Sequence, residues 1–231
     1  MLTINNLSKV YSGVKVLDIP ELFIGAGESF GLVGNNGAGK TTLFRLILDL
    51  IRPESGSVLS KESGVSMTEN WKYYTGSYLD RNFLIDFLTP EEYFEFNGRI
   101  HGMSPEDLKS FLSTMEDFFN DEVLGRKKYI RDLSKGNQQK IGVAAALMAE
   151  PEVIILDEPF NGLDPSSQIR LINMLKNLDN SKDTTILVSS HDLNHVTEVC
   201  SRIAILEKGI IVKDLQTNEN TLKELQSYFS V

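Results

Sequence analysis

The chain has a single cysteine and no excess of positive charge. Of its 231 residues only Cys200 is a cysteine, so no internal disulfide is possible, which fits a reducing compartment. The formal net charge is −9. Because nucleic-acid binders usually present a basic face, this balance argues against nucleic acid as a partner.

Long hydrophobic segments are also missing. The opening sequence, MLTINNLSKVYSG, lacks the apolar stretch of a secretory signal peptide. No apolar run approaches the roughly 20 residues that a helix needs to cross a bilayer. The strongest candidates are as short as Val153 to Leu156. We therefore expect a soluble chain, for which any role at a membrane requires a partner.

The remaining composition is that of an ordinary globular protein. Hydrophobic residues make up 41% of the chain and charged residues 24%, which is enough for one domain with a sizeable core. Short apolar runs between turn signals such as Ser12-Gly13 predict β-hairpins in the first thirty residues. Strands and helices then alternate, which predicts an α/β sandwich. The predicted strands lie at 29–33, 153–156, 185–189, 203–206 and 210–212, and the predicted helices at 40–50, 136–150, 166–178 and 221–229.

An aromatic-rich middle segment interrupts this alternation. Residues 90–119 have a mostly helical pattern, with a break between 97 and 105. We expect a helical lobe, at about residues 82–150, inserted into a single domain that spans residues 1–231.

A glycine-rich segment, GNNGAGKT, follows the predicted strand at 29–33. Gly34, Gly39, Lys40 and Thr41 satisfy the pattern G-x-x-x-x-G-K-[ST] of a phosphate-binding loop. Glycines let backbone N–H groups converge on phosphate oxygens, and the helix that follows adds the positive end of its dipole. In such a loop the lysine reaches the β- and γ-phosphates and the threonine hydroxyl ligates Mg²⁺. The alternative is a chance glycine-rich turn, which the strand before and the helix after the motif disfavour.

Two acids, Asp157 and Glu158, follow the apolar run in VIILDEP. Acids at the carboxyl end of a strand lie where open α/β sheets bind ligands. In a phosphoryl-transfer site Asp157 would hold Mg²⁺ through water, and Glu158 would orient and deprotonate the attacking water. The alternative is a solvated pair of loop acids, and the four apolar β-formers before the pair count against it.

A third motif, LSKGNQQK, lies between these two. With them it resembles the ATP-binding subunits of ATP-binding cassette (ABC) transporters, over nearly the whole chain and in the style of small bacterial exporters. The family signature usually reads leucine-serine-glycine-glycine-glutamine, so Lys135 and Asn137 depart from it, whereas Ser134 and Gly136 keep the phosphate-contacting positions. The resemblance implies a P-loop NTPase core with an N-terminal antiparallel β subdomain and an inserted α-helical subdomain. It also implies ATP and Mg²⁺ as ligands and an ATPase activity that powers transport.

The resemblance implies individual nucleotide contacts. Ser134 and Gly136 would contact the γ-phosphate of an ATP held by a second subunit, since in this family each subunit supplies half of each site. A helix N-terminus with free N–H groups suits that role, although Ser134 is equally well explained as the N-cap of the following helix. The contacts implied in the phosphate loop are Asn35, Gly37, Ala38, Gly39, Lys40, Thr41 and Thr42.

Three further residues carry over from the family. NGLDP puts Asp164 in the loop that touches the opposite subunit, although Asp164 also suits a helix N-cap before Pro165. VSSHD puts His191 at the end of a buried strand, where it would bind the γ-phosphate; a histidine satisfied by its own surroundings is the alternative. Tyr11 matches the aromatic residue that stacks on adenine, or else it only packs against its neighbours.

One family element is absent, and one pattern imitates a metal site. A glutamine that senses Mg²⁺ and the membrane partner usually follows the strand near residues 74–79, and Asp80 occupies its position here. Asp80 can still reach the metal through water, but it has no amide. His191 and His195 are spaced as zinc ligands on a helix, yet no third ligand is evident, and we expect His195 to be an exposed helix residue.

The resemblance also implies partners. They are an integral membrane permease subunit and a second ATP-binding subunit, in a homodimer or a heterodimer, at the cytoplasmic face of the cell membrane. Four aromatic residues near the start of the helical lobe form either an apolar docking groove for the permease or the lobe's own core: Phe83, Phe87, Tyr93 and Phe96.

Two other functions stay open on the sequence alone. A soluble ABC-type ATPase, acting in DNA repair, translation or cluster assembly, is disfavoured because the chain holds a single cassette and no long coiled-coil insert. A regulatory nucleotide binder without turnover is disfavoured by Glu158 and His191.

Overall fold

A computed structural model describes residues 1–181 and 183–229. The strands are β1 (Leu2–Tyr11), β2 (Val14–Ile24), β3 (Ser29–Val33), β4 (Ser55–Ser60), β5 (Ser63–Gly64), β6 (Thr75–Tyr78), β7 (Val153–Asp157), β8 (Thr185–Ser190), β9 (Arg202–Glu207) and β10 (Ile210–Gln216). The helices are α1 (Lys40–Ile47), α2 (Pro90–Ile100), α3 (Pro105–Thr114), α4 (Glu116–Phe119), α5 (Lys135–Ala146), α6 (Pro165–Ser181), α7 (Leu193–Val199) and α8 (Thr221–Phe229). Short 3-10 turns span Asn70–Tyr74, Arg81–Phe83 and Ile130–Asp132.

The N-terminal part forms an antiparallel sheet of four strands in the order β2-β1-β4-β5. Its centre is the predicted hairpin of β1 and β2, which turns at Ser12-Gly13 and pairs Tyr11 with Val14. β4 and β5 were not predicted, because SGSVLS has only one fully apolar position that faces the core, Val58. This sheet is the expected antiparallel β subdomain.

The second sheet has six strands in the order β10-β9-β3-β8-β7-β6. All neighbours from β9 to β6 are parallel, and β10 is an antiparallel edge strand. Every residue of β3, β7 and β8 is buried, which explains their continuous apolar runs. The phosphate loop follows β3, the acid pair ends β7 and His191 follows β8. Three predicted motifs therefore meet at one edge of the sheet, because the carboxyl ends of parallel strands lie together.

The middle of the chain is helical, as predicted. A capping box of Thr89 and Glu92 starts α2, and a second one, of Ser104 and Asp107, starts α3, so the predicted break falls between these two helices. Phe94 and Phe119 are fully buried in this lobe, with ring centroids 5.7 Å apart. The four aromatic residues considered for docking do not behave alike. Tyr93 is buried in the core of the lobe, whereas Phe83, Phe87 and Phe96 are exposed.

Two predicted helices end earlier than expected. α1 stops at Ile47 rather than at residue 50, because Asp49 has a left-handed backbone (φ 50°) that cannot continue the helix. α5 covers Lys135–Ala146, and the left-handed pair Ala149 and Glu150 ends the segment predicted as helical to residue 150. In the part of the chain that the structure describes, no helix is both long and apolar enough to span a membrane.

Candidate functional site

The phosphate loop wraps the N-terminus of α1. The chain turns at Gly37 (φ 83°) and Gly39 (φ 110°), which is the left-handed region that glycine enters without strain. Within the turn, the Ala38 N–H donates to the Asn35 carbonyl at 3.0 Å. Gly39 is the N-cap of α1 and has no side chain with which to cap it. The first N–H groups of this helix are therefore available to an external anion.

A cleft of about 250 Å³ lies over this loop. The antiparallel sheet contributes Tyr11 and Val16 to its wall, and Glu158 closes it from the other side. The Tyr11 ring is about half exposed, and the Lys9 ammonium lies 5.2 Å from its centroid, so the ring is not part of either core. The loop residues that line the cleft are Asn35, Asn36, Gly37, Ala38, Gly39, Lys40, Thr41 and Thr42.

Three charged or polar side chains meet beside the loop, and two of them, Lys40 and Glu158, line the cleft itself. The buried Lys40 ammonium donates to the Gly34 carbonyl at 2.6 Å and lies 3.3 Å from Glu158 Oε1. That second contact lacks hydrogen-bond geometry, and Glu158 Oε1 is otherwise unpaired. His191 Nδ1 lies 2.8 Å from Glu158 Oε2, with about half of its ring exposed. The Glu158 carboxylate therefore lies between the Lys40 ammonium and the half-exposed imidazole of His191.

Asp157 lies beside the loop threonine. The Thr41 hydroxyl donates to one carboxylate oxygen of Asp157 and the Ser189 hydroxyl donates to the other. Burial raises the pKa of Asp157 above its ordinary value, although the two hydroxyl donors oppose that shift. A hydroxyl and a carboxylate are hard oxygen ligands. Mg²⁺ is usually held by one or two carboxylates plus phosphates and water, so this pair fits Mg²⁺. Among the residues described, no group of three or more His, Cys, Asp or Glu side chains is placed to hold a metal.

Glu158 has an unusual backbone. Its φ is 48°, in a left-handed region that a residue with a side chain seldom occupies. Its N–H donates to the Ser189 hydroxyl at 3.0 Å and approaches the Ser189 carbonyl at 3.2 Å. Strained backbone of this kind persists only where neighbouring contacts fix it, and it is concentrated at functional sites.

The residues predicted to face a second subunit lie outside the cleft. Ser134 caps α5 by accepting from the Asn137 N–H at 3.2 Å. Asp164 caps α6 by accepting from the Ser167 N–H at 3.0 Å. It also accepts from the hydroxyls of Ser166 and Ser167, each at 2.6 Å, and these bonds hold its pKa well below the usual range. Gly136 packs against the turn before Asp164, since a Cβ there would lie 2.6 Å from the Gly162 carbonyl. The capping roles considered for Ser134 and Asp164 are therefore present in the structure.

Asp80 is not among the residues that line the cleft. It caps the 3-10 turn Arg81–Phe83, accepting from the Asn82 N–H at 2.7 Å, and its other oxygen lies 3.6 Å from Arg45. The expectation for His195 was wrong. Only 14% of its side chain is exposed, because the ring stacks on Phe160 with centroids 4.3 Å apart.

Sequence reasoning missed three contributors to this site. Ser189 bonds both Asp157 and Glu158, and it was visible only as part of VSSHD. Gln139 contacts the backbone after β7, and its place in the third motif was the only signal. Gly209, in the turn between β9 and β10, donates its N–H to the Ala38 carbonyl at 2.8 Å and accepts from the Asp18 N–H at 2.8 Å. It joins the phosphate loop to β2.

Comparison with known proteins identifies the family of this chain. Residues 17–161 match the family described as ABC transporter. The ABC transporter ATP-binding protein YhaQ of Bacillus subtilis is 37% identical over 229 residues, which cover 99% of this chain and 74% of that protein. The bacitracin transport ATP-binding protein BcrA of Enterococcus faecalis is 33% identical over 222 residues, covering 93% of this chain and 68% of that protein.

Solved structures agree on the fold. The ATP-binding subunit of an ABC transporter superposes with a TM-score of 0.83 at 27% identity, covering 100% of this chain and 93% of that one. An ATP-binding cassette solved as a dimer with ADP and phosphate has a TM-score of 0.84 at 24% identity, covering 94% and 99% of the two chains.

The chain therefore belongs to the ABC transporter family, and its fold is that of the family's ATP-binding cassettes. It acts as the ATP-binding and ATP-hydrolysing component that powers transport. The predicted family and fold class are confirmed, and a soluble ATPase outside transport is not favoured.

Proposed function

We propose that the cleft over GNNGAGKT hydrolyses ATP with Mg²⁺ and that the predicted site residues do this work. The loop N–H groups and Lys40 bind the β- and γ-phosphates, while Tyr11 stacks on the base and the neighbouring loop residues Asn35, Gly37, Ala38, Gly39 and Thr42 line the nucleotide. The observation that carries the proposal is the meeting of Lys40, Asp157, Glu158 and His191 at one edge of the sheet.

Thr41 and Asp157 would hold Mg²⁺, which when bound neutralises charge on the phosphates. Glu158 accepts the proton of the attacking water, since it lines the cleft and its Oε1, 3.3 Å from the Lys40 ammonium, accepts no hydrogen bond. His191 holds Glu158 through its Nδ1 and is exposed enough to donate toward the γ-phosphate from its other nitrogen.

The same proposal includes a second ATP-binding subunit. Ser134 and Gly136 lie at the N-terminus of α5, and Asp164 lies in the turn packed against it, so they form one surface outside the chain's own cleft. This surface suits the γ-phosphate of an ATP held by a partner, because a helix N-terminus favours anions. A single cassette domain over residues 1–231, with a helical lobe at about 82–150, is part of this proposal; residues 182, 230 and 231 lie outside the described part.

A permease subunit in the membrane is the other proposed partner. Phe83, Phe87 and Phe96 are large apolar side chains left exposed near the start of the helical lobe. Such exposure favours a docking surface, which would place the protein on the cytoplasmic face of the membrane. Copurification with an integral membrane protein tests this, whereas a chain that purifies alone and hydrolyses ATP at its full rate would favour a soluble ATPase.

The variant Glu158→Gln tests the catalytic assignment. It keeps the shape of the side chain but removes the base, so we expect hydrolysis to fall by about 100-fold or more while ATP affinity stays within about threefold. ATP should then accumulate a closed dimer, visible by size-exclusion chromatography. The matched control is Glu152→Gln, since Glu152 is an exposed residue paired with Lys61 at 2.7 Å. Unimpaired steady-state hydrolysis in Glu158→Gln would refute the assignment.

A further inference from the structure

The helix that presents Ser134 also contacts the turn that carries Glu158. Gln139 lies on α5, half-buried, five residues after Ser134. Its side-chain amide donates to two successive carbonyls, of Glu158 at 3.2 Å and of Pro159 at 3.1 Å. One amide group therefore restrains two consecutive peptide units at the end of β7.

Tyr78, at the end of β6, sets the orientation of the Gln139 amide. The Tyr78 hydroxyl donates to Gln139 Oε1 at 3.2 Å, which leaves the NH₂ group to face Glu158 and Pro159. Tyr78 is buried, and burial raises its pKa, so the hydroxyl stays protonated and able to donate. Its ring fits against Gly142, one turn along α5, where a Cβ would lie 2.0 Å from the ring. Packing against Gly142 therefore holds the Tyr78 ring in place independently of its bond to Gln139.

Glu158 needs such restraint because its backbone is strained. A φ of 48° is sparsely populated for a residue with a side chain, and the surroundings must hold it. Ser189 on β8 holds the N–H of Glu158, and Gln139 on α5 holds its carbonyl. Loss of the Gln139 bonds frees the peptide that follows Glu158, while the peptide before it stays bonded to Ser189 and β7 and β8 stay paired.

We infer that Gln139 is a positioning residue that fixes the carboxylate of Glu158 relative to the helix carrying Ser134. This inference rests on the proposed role of Glu158. Ser134 and Gln139 are about 7.5 Å apart along the axis of one rigid helix. A shift of α5 caused by the partner's nucleotide at Ser134 would therefore move the turn of Glu158 in the chain's own cleft, and the two composite sites would be coupled through Gln139.

The test is Gln139→Met, which keeps the length of the side chain and removes the amide. We expect the single-turnover rate of ATP hydrolysis to fall about tenfold, equivalent to ~1.4 kcal/mol in the barrier, with ATP affinity within about twofold. Tyr78→Phe, which frees the amide without removing it, should lower the rate about threefold. The matched control is Gln168→Met, since Gln168 on α6 donates to the Phe160 carbonyl at 3.3 Å, two residues beyond Glu158; its rate should stay within twofold.

A double variant separates positioning from a general loss of structure. If Gln139 acts through Glu158, Gln139→Met should slow the residual hydrolysis of Glu158→Gln by less than twofold, whereas independent effects would again give tenfold. An unchanged rate in Gln139→Met, or full additivity, overturns the inference. If Glu158→Gln alone leaves hydrolysis unimpaired, the proposed function fails instead, so the two failures are distinguishable.

Discussion

Lys140 offers a test of what a buried charge contributes to this fold. It lies on α5 with 1% of its side chain exposed, and its ammonium is 3.1 Å from Glu122 and 3.8 Å from Asp164. Both carboxylates are about half exposed. The two ion pairs connect the helical lobe, α5 and the start of α6. We predict that the packing of the lysine stem, and not its charge, dominates its contribution to stability.

Two substitutions separate these contributions. Lys140→Ala removes three buried methylene groups at ~0.8 kcal/mol each and leaves a cavity, so it should lower the free energy of unfolding by about 2–4 kcal/mol. Lys140→Met keeps most of the stem. It removes the charge but strands no buried carboxylate, because water can solvate Glu122 and Asp164 where they stand. Its effect should be within about 1 kcal/mol of zero in either direction.

Urea denaturation followed by circular dichroism measures both values, provided that the slope with urea is the same in each variant. Lys176→Met is the control for removing an exposed lysine, since Lys176 pairs with Glu198 at 3.1 Å on the surface; it should change the free energy of unfolding by at most about 0.5 kcal/mol. If Lys140→Met is destabilised as much as Lys140→Ala, the ion pairs dominate and the reasoning is refuted.

Two predictions concern the nucleotide site. Lys40→Ala removes the positive charge inside the loop, so ATP affinity measured by calorimetry should fall at least about tenfold with the fold intact; an unchanged affinity would contradict the role of Lys40. Asp80→Gln removes an exposed ion pair with Arg45 and the cap of the turn Arg81–Phe83, each worth about 1 kcal/mol, and restores the family's amide. The Mg²⁺ dependence and the partner-stimulated rate should change, while the free energy of unfolding falls by no more than about 2 kcal/mol. If both of these activities match those of the unmodified protein, Asp80 has no part in metal coupling.

The elements that carry the site were predictable because their signals are local. β3, β7 and β8 are short runs buried on both faces, so continuous apolar residues identify them. The phosphate loop needs glycines and a lysine at fixed spacing, which the sequence shows directly. Where the residues of a segment are enough to define its structure, the sequence pattern predicts that structure correctly.

The remaining features depend on contacts between distant parts of the chain. β4 forms because β1 offers an unpaired edge, which SGSVLS does not reveal. His195 is covered by Phe160, 35 positions earlier, so helix periodicity alone misplaced it. The bonds from Gln139 to Glu158 and Pro159 join a helix to a strand end, and the local sequence offers no signal for them beyond the place of Gln139 in the third motif. Sequence reasoning predicted the residues of the candidate site but not the contacts that hold them in place.

Gly209 determines how closely the phosphate loop approaches β2. Its N–H and carbonyl join the Ala38 carbonyl to the Asp18 N–H, and a Cβ there would lie 2.4 Å from the Val16 carbonyl. Main chain therefore touches main chain between the phosphate loop and β2, the strand that leads back to Tyr11. The distance between β2, which leads to the proposed base position, and the phosphate loop is set by contacts between main-chain atoms. Side chains around Tyr11 can therefore change while these main-chain contacts keep β2 and the phosphate loop at the same separation.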